Sequence, residues 1–194
     1  MNTLLWEGCY REPWGELMVP ESVTHPAKYA KGLIFRLVRY GIDEGWWNRE
    51  STVFDPFVGV GGGSIAFASH GIQHIGVDIE QEFVRVACEN IRAHAGDWQG
   101  AGYPLPTVFQ GDSRDLSELP ILPVDAVVTS PPYGNRVDDH GRIGKDEHMN
   151  KYGNTEGQIG NIRLGDAYWH NLSLVLDQLD ILLKSEGILV WIVK

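Results

Sequence analysis

A short apolar run, Val53 to Phe57, is broken by Asp55-Pro56 and followed at once by four glycines within five positions, Gly59, Gly61, Gly62 and Gly63. Glycines so clustered let the backbone approach a ligand without a Cβ in the way, and Ser64 to His70 can continue as a helix. The same alternation recurs along the chain. His74 to Ile79 reads as a second strand, Glu80 to His94 as a helix, Thr107 to Gln110 as a third strand, and Asp125 to Thr129 as a fourth that stops at Pro131-Pro132. Tyr168 to Lys184 has helical composition and Ile188 to Val193 reads as a fifth strand, while residues 27–40 form an amphipathic helix with Pro26 in its first turn. Strands separated by helices predict an α/β fold, a mainly parallel sheet with helices on both faces. Ligands of such sheets bind beyond the carboxyl ends of the strands, where the strand order reverses.

A chain of 194 residues with 43% hydrophobic side chains suits one domain, 1–194, with its own core. No run of 18 apolar residues and no basic-then-apolar leader is present, which predicts a soluble, cytoplasmic protein with no membrane partner. Cys9 and Cys88 are far apart and outside any CxxC spacing, so no disulfide framework, zinc site or other metal site is expected, and Cys88 is assigned to core packing with Phe83, Val84, Ala87 and Ile91. His140 and His148 lack further ligands for a metal. Trp46-Trp47 reads as a packing feature. The net charge of -10 opposes tight binding to a polyanion. Residues 134–163 are the exception, with five basic and five acidic side chains. The long polar segment 134–168 is therefore the candidate lid or target-recognition element, with Arg136, Arg142, Lys145 and Lys151 available to phosphates.

The glycine turn has two readings. Gly59-x-Gly61 followed by an acid at the end of strand two also occurs in dinucleotide-binding oxidoreductases. Here, however, Ser64 stands at the third glycine position, and Asp55 would repel a pyrophosphate while suiting the ammonium and sulfonium of S-adenosylmethionine. Asp78 is placed to accept hydrogen bonds from two ribose hydroxyls, and Ile79 to pack on an adenine face.

The fourth strand delivers Ser130-Pro131-Pro132-Tyr133 to the same sheet edge. An exocyclic amine on a base is a poor nucleophile, because its lone pair is delocalised into the ring. It needs acceptors for both hydrogens, which Ser130 Oγ and the Pro131 carbonyl can supply. Two prolines fix φ and cannot donate, and Tyr133 can stack on a base rotated out of a helix.

Together these segments resemble the DNA amino-methyltransferases that modify N4 of cytosine or N6 of adenine. The resemblance implies a Rossmann-like S-adenosylmethionine methyltransferase fold and runs from about residue 22 to the end. It assigns Asp55, Pro56, Phe57, Gly59 and Gly61 to the cofactor motif, Asp78 and Ile79 to the ribose and adenine, and Asp112 and Ser113 to the adenine amino group. His25, Pro26 and Lys28 resemble the motif that holds the methionine carboxylate, and Ser130, Pro131, Pro132 and Tyr133 the catalytic tetrapeptide. Serine at the first tetrapeptide position leans toward cytosine. The implied activity is a site-specific DNA methyltransferase, of restriction-modification or orphan type and bacterial, archaeal or phage-encoded, whose DNA binding is weak by this chain alone.

The family's sheet continues past the fifth strand, so the chain reads as truncated there, a fragment or one whose open edge is covered by a second copy or a partner subunit. Two other functions compete. One is methylation of an amine in RNA or a protein amide, where related tetrapeptides usually begin with Asn or Asp. The other is a catalytically silent, cofactor-binding regulatory subunit.

Overall fold

The computed structural model describes residues 4–25, 28–133 and 152–193. Thr52–Asp55 (β1) lies at the centre of the sheet, flanked by Gln73–Asp78 (β2) and Val124–Thr129 (β4). Thr107–Gln110 (β3) and Leu183–Trp191 (β5) form the edges, giving the order β3-β2-β1-β4-β5. Every pairing is parallel. The order reverses between β1 and β4, so the expected crevice opens above those two strands.

Adjacent residues of β1 serve opposite cores, as the period of two requires. Val53 packs with Ala126 and Val128 against Lys31–Asp43 (α1) and Gly62–Ala68 (α2), whereas Phe54 packs with Val127 against Asp166–Leu182 (α4). Gln81–Gly100 (α3) covers the first face beside α2. Trp47 is buried in this layer, its Nε1 donating to the Val38 carbonyl at 3.0 Å, which accounts for one half of the Trp-Trp pair.

Three expectations shift. The helix placed over 27–40 starts only at Lys31, because Ala30 is extended and Tyr29 before it is tied down, its carbonyl accepting from Trp14 Nε1 at 2.9 Å and its hydroxyl reaching Asp55 on the sheet. The buried stripe of α3 is Phe83, Val86, Ala87, Asn90 and Ile91, and Cys88 falls beside it, half-exposed. Asn90 is the polar member: its Oδ1 accepts from the Val19 amide at 2.7 Å, and its Nδ2 donates to Ser22 Oγ at 2.9 Å and the Val60 carbonyl at 2.8 Å. This pins the N-terminal segment to the glycine turn. Finally, β5 begins at Leu183, with a register irregularity opposite Val124 to Ala126, and among the described residues it pairs with β4 alone.

No helix of the described residues is long and apolar enough to cross a membrane. Pro26, most of the 134–168 segment, and with it Arg136, His140, Arg142, Lys145, His148 and Lys151, lie outside the described residues.

Candidate active site

β1 ends in Asp55, fully buried, and three donors converge on its carboxylate. Oδ1 accepts from Thr129 Oγ1 at 2.7 Å and from the Phe57 amide at 2.9 Å, and Oδ2 accepts from the Tyr29 hydroxyl at 2.9 Å. Burial pushes this carboxyl up to about 6, against the pull of those three hydrogen bonds. Asp55 is thus a knot beneath the glycine turn rather than an open face for a cationic ligand. Its oxygens are taken by the segment before α1 and by the end of β4.

Above the knot the chain turns through Gly59 at φ 53° and Gly61 at φ 84°. At Gly59 a Cβ would also lie 2.7 Å from His25 Nε2, so both the backbone conformation and the neighbour require glycine. The turn feeds the second strand's acid. The Gly59 amide donates to Asp78 Oδ2 at 3.0 Å and the Glu80 amide to Oδ1 at 2.9 Å. Burial raises the Asp78 carboxyl to about 7; the two amides oppose that, and the charges of Glu80 and Asp55 add to it.

Of these groups Asp78 and His25 border a cleft of about 570 Å³, open to solvent, within the usual size range of small-molecule sites; Asp55, Gly59, Gly61 and Glu80 lie behind its wall. The cleft brings together His25, Pro56, Phe57, Asp78, Ile79, Asp112 and Ser113 with Ser130, Pro131 and Pro132. An adjoining hollow of about 290 Å³ holds Lys28 with His25, Val60, Gly62 and Ser130. Lys28 Nζ donates to the Ser22 and His25 carbonyls, each at 3.0 Å, and partial burial lowers its pKa. Lys28 precedes α1 rather than riding on it. Asp112 lines the cleft, but its carboxylate is chelated by Arg114. Burial works to raise the Asp112 pKa, and the Arg114 hydrogen bonds and charge outweigh it and hold it low. Ser113 Oγ donates to the Pro56 carbonyl, joining the loop after β3 to the turn after β1.

At the end of β4, Ser130 Oγ lies 3.2 Å from the Tyr133 hydroxyl. The Tyr133 amide donates to Tyr152 OH at 3.2 Å, and Tyr168 OH donates to the Pro132 carbonyl at 2.9 Å. Tyr133 itself is not among the cleft-lining residues; Tyr152, Gly157, Gln158 and Ile159 are. That second wall is fastened by Glu80, whose buried carboxylate accepts from the Thr155 amide at 3.0 Å, Thr155 Oγ1 at 2.8 Å and Gln158 Nε2 at 3.2 Å. Tyr29, Glu80, Tyr152, Gln158 and Tyr168 were not among the sequence candidates. Only Glu80, two residues past Asp78, carried a hint in its position.

The arrangement places a carboxylate held by two amides at one end of a cleft and carbonyl and hydroxyl acceptors at the other. It suits binding a nucleoside-like cofactor beside an amine.

Comparison with known proteins revises the substrate. The chain is 37% identical over 84 residues to the tRNA (guanine(10)-N2)-dimethyltransferase of Methanothermobacter thermautotrophicus, covering 42% of this chain and 22% of that protein. It is 34% identical over 118 residues to the tRNA (guanine(10)-N(2))-methyltransferase TRMT11 of Bos taurus, covering 54% and 25%. The chain thus spans about a quarter of the length of these relatives or less. The expected site-specific DNA methyltransferase, with its DNA binding and restriction-modification role, is corrected on this finding, because these relatives are named for methylating a tRNA guanine. The Ser-Pro-Pro-Tyr tetrapeptide misled because the chemistry expected of it, methylation of a planar amine, does not distinguish the two substrates. Among solved structures, NSun6 of Pyrococcus horikoshii with SFG shares the fold, with TM-score 0.51 and 16% identity over 90% of this chain and 36% of that one. The family model described as UPF0020: RMKL-like, methyltransferase domain matches residues 44–149, more than half of the chain, and the protein belongs to that family.

Proposed function

We propose that this chain is an S-adenosylmethionine-dependent methyltransferase domain acting on the exocyclic N2 amine of a guanine in tRNA. The observation that carries the reading is the single cleft in which Asp78, Ile79, Asp112 and Ser113 meet Ser130, Pro131 and Pro132. The relatives' printed activities name the substrate.

The residues present fit the cofactor. The Asp78 carboxylate, aimed by the Gly59 and Glu80 amides, is an acceptor for a ribose diol, and Ile79 offers an apolar face to an adenine. Lys28 in the adjoining hollow suits a carboxylate. Asp55, Pro56, Phe57, Gly61 and His25 shape this end rather than carry its charge. Pro26 lies outside the described residues. When bound, the cofactor supplies an electrophilic methyl group.

The protein's task at the other end is to make an amide-like nitrogen nucleophilic. Ser130 Oγ and the Pro131 carbonyl accept the two amino hydrogens, draw the nitrogen toward tetrahedral geometry and stabilise the positive charge that develops on it. The buried flank formed by Pro131 and Pro132 excludes water from that nitrogen. Arg163, exposed in the connection that precedes α4, is available to an RNA phosphate.

The deciding experiment incubates the protein with methyl-labelled S-adenosylmethionine and either tRNA transcripts or duplex DNA, followed by digestion and mass spectrometry of nucleosides. N2-methylguanosine from tRNA is the expected product. Label only in DNA or protein, or none from any acceptor, overturns the reading.

A further inference from the structure

The backbone of the Ser130 to Tyr133 segment is poor in donors, since Pro131 and Pro132 have no N–H. Between Ser130 and the Tyr133 side chain its polar backbone groups include three that matter here, the carbonyls of Pro131 and Pro132 and the amide of Tyr133. Two of them are held by phenols from elsewhere in the chain. Tyr168, in the first turn of α4 and 4% exposed, donates its hydroxyl to the Pro132 carbonyl at 2.9 Å. Tyr152, on the cleft wall fastened to Glu80, accepts from the Tyr133 amide at 3.2 Å. No described residue hydrogen-bonds to the third group, the Pro131 carbonyl, and Pro131 lines the cleft.

We infer that Tyr168 and Tyr152 are positioning residues that hold the single peptide unit between Pro132 and Tyr133 from both its carbonyl and its amide side, leaving the preceding Pro131 carbonyl as the open acceptor beside Ser130. The inference deepens the proposed methyl transfer to an amine and rests on it. Two phenols are suited to this task. A phenol hydroxyl can donate to a carbonyl or accept from an amide, and its rigid ring is anchored in the packing. Tyr168 lies in the same buried cluster as Leu172 and Val175 of α4 and Val127 of β4. Tyr152 approaches His25 of the cofactor end, ring centroids 6.2 Å apart, so one side chain borders both halves of the cleft. Acceptors misplaced by a fraction of an ångström lose much of their benefit in the transition state while ground-state binding hardly changes.

The test compares the wild-type protein with Tyr168→Phe and Tyr152→Phe, which keep the rings and remove only the hydroxyls. Single-turnover methyl transfer to a tRNA transcript, at saturating S-adenosylmethionine, should slow about tenfold in each variant. The KM for tRNA and the dissociation constant of S-adenosylhomocysteine should stay within twofold of wild type. In parallel, amide exchange at Tyr133, followed by NMR without any substrate, should quicken about tenfold in Tyr152→Phe. Transfer rates within twofold of wild type overturn the inference. So does a rate loss matched by loss of S-adenosylhomocysteine binding, which marks a merely structural role, and so does an unchanged Tyr133 exchange rate. If the wild type is silent on tRNA but methylates another amine acceptor, the tRNA reading fails, and the variant ratio on that acceptor still decides this one. A wild type silent on every acceptor overturns the catalytic part, leaving amide exchange to judge the geometry alone.

Discussion

Thr129 Oγ1 donates a 2.7 Å hydrogen bond to Asp55 Oδ1, tying the last residue of β4 to the last residue of β1 at the point where the strand order reverses. The cofactor turn and the tetrapeptide each begin one residue beyond this contact, so the bond sets their spacing. Thr129→Val keeps the shape and removes the donor from a buried carboxylate. The expected loss is about 1–2 kcal/mol of stability, or roughly 3–6 °C in Tm for a chain of this size, read by urea and thermal unfolding. An unchanged midpoint would show that Tyr29 and the Phe57 amide satisfy Asp55 unaided.

Two carboxyls of the site are raised by burial, Asp55 to about 6 and Asp78 to about 7. In the unfolded chain both lose their protons near pH 4. Between about pH 4 and pH 7 the native state therefore binds more protons, and stability falls as pH rises through that window. His74, buried and lowered to about 3, acts oppositely below its unfolded value near 6.5, but it offsets only one of the two carboxyls. The protein should resist urea better at pH 5 than at pH 8. A higher midpoint at pH 8 contradicts this.

Cofactor binding should run the other way, because the proposed ribose contact needs an ionised Asp78 to accept from the diol. Affinity for 5′-methylthioadenosine, which lacks the titrating amino acid, should improve about tenfold from pH 6 to pH 8 if one group near 7 controls it. Isothermal titration calorimetry at the two values provides the check, and a flat profile removes Asp78 from the ribose.

Much of this was legible beforehand because it is local. The parallel strands, the glycine turn and the tetrapeptide follow from periodicity and from what glycine and proline allow. Other features were hidden because they join distant positions through single side chains. Tyr168 to Pro132, Glu80 to Thr155 and Gln158, and Tyr29 to Asp55 connect segments whose mutual approach is decided by packing, and no spacing rule encodes them. Asp55 shows the cost of reading a residue type alone: an acid beside a glycine turn was assigned to the ligand's charge, yet its oxygens belong to the protein. The substrate was misassigned for a different reason. The electronic demand of a planar amine, to which Ser130 and Pro131 were assigned, is the same whether the base belongs to DNA or RNA.

Ser130→Ala tests the acceptor pair directly. It removes one of the two proposed acceptors for the amino hydrogens while leaving Asp78, Ile79 and Lys28 untouched. Turnover on tRNA should fall by about tenfold to a hundredfold, the equivalent of roughly 1.4–2.7 kcal/mol of transition-state stabilisation. The dissociation constant for S-adenosylhomocysteine should remain within twofold of wild type. A variant that keeps full kcat, measured with saturating tRNA, would exclude the serine hydroxyl from the chemistry.

Glu80 governs the far wall of the cleft. Its carboxylate gathers the Thr155 amide, the Thr155 hydroxyl and the Gln158 amide group, while its own amide supports Asp78. Glu80→Gln retains the amide but replaces one accepting oxygen with a donor that faces the Thr155 and Gln158 donors. Losing one or two hydrogen bonds to a charged group should free residues 152–158 by about 1.5–3 kcal/mol. In hydrogen exchange, the Thr155 amide should then lose at least tenfold in protection, while the β1 and β4 amides keep theirs. Because this wall carries Tyr152 and borders the cofactor end, S-adenosylhomocysteine should also dissociate faster in stopped-flow measurements. Loss of protection at Thr155 with an unaltered off-rate would separate the wall from cofactor retention.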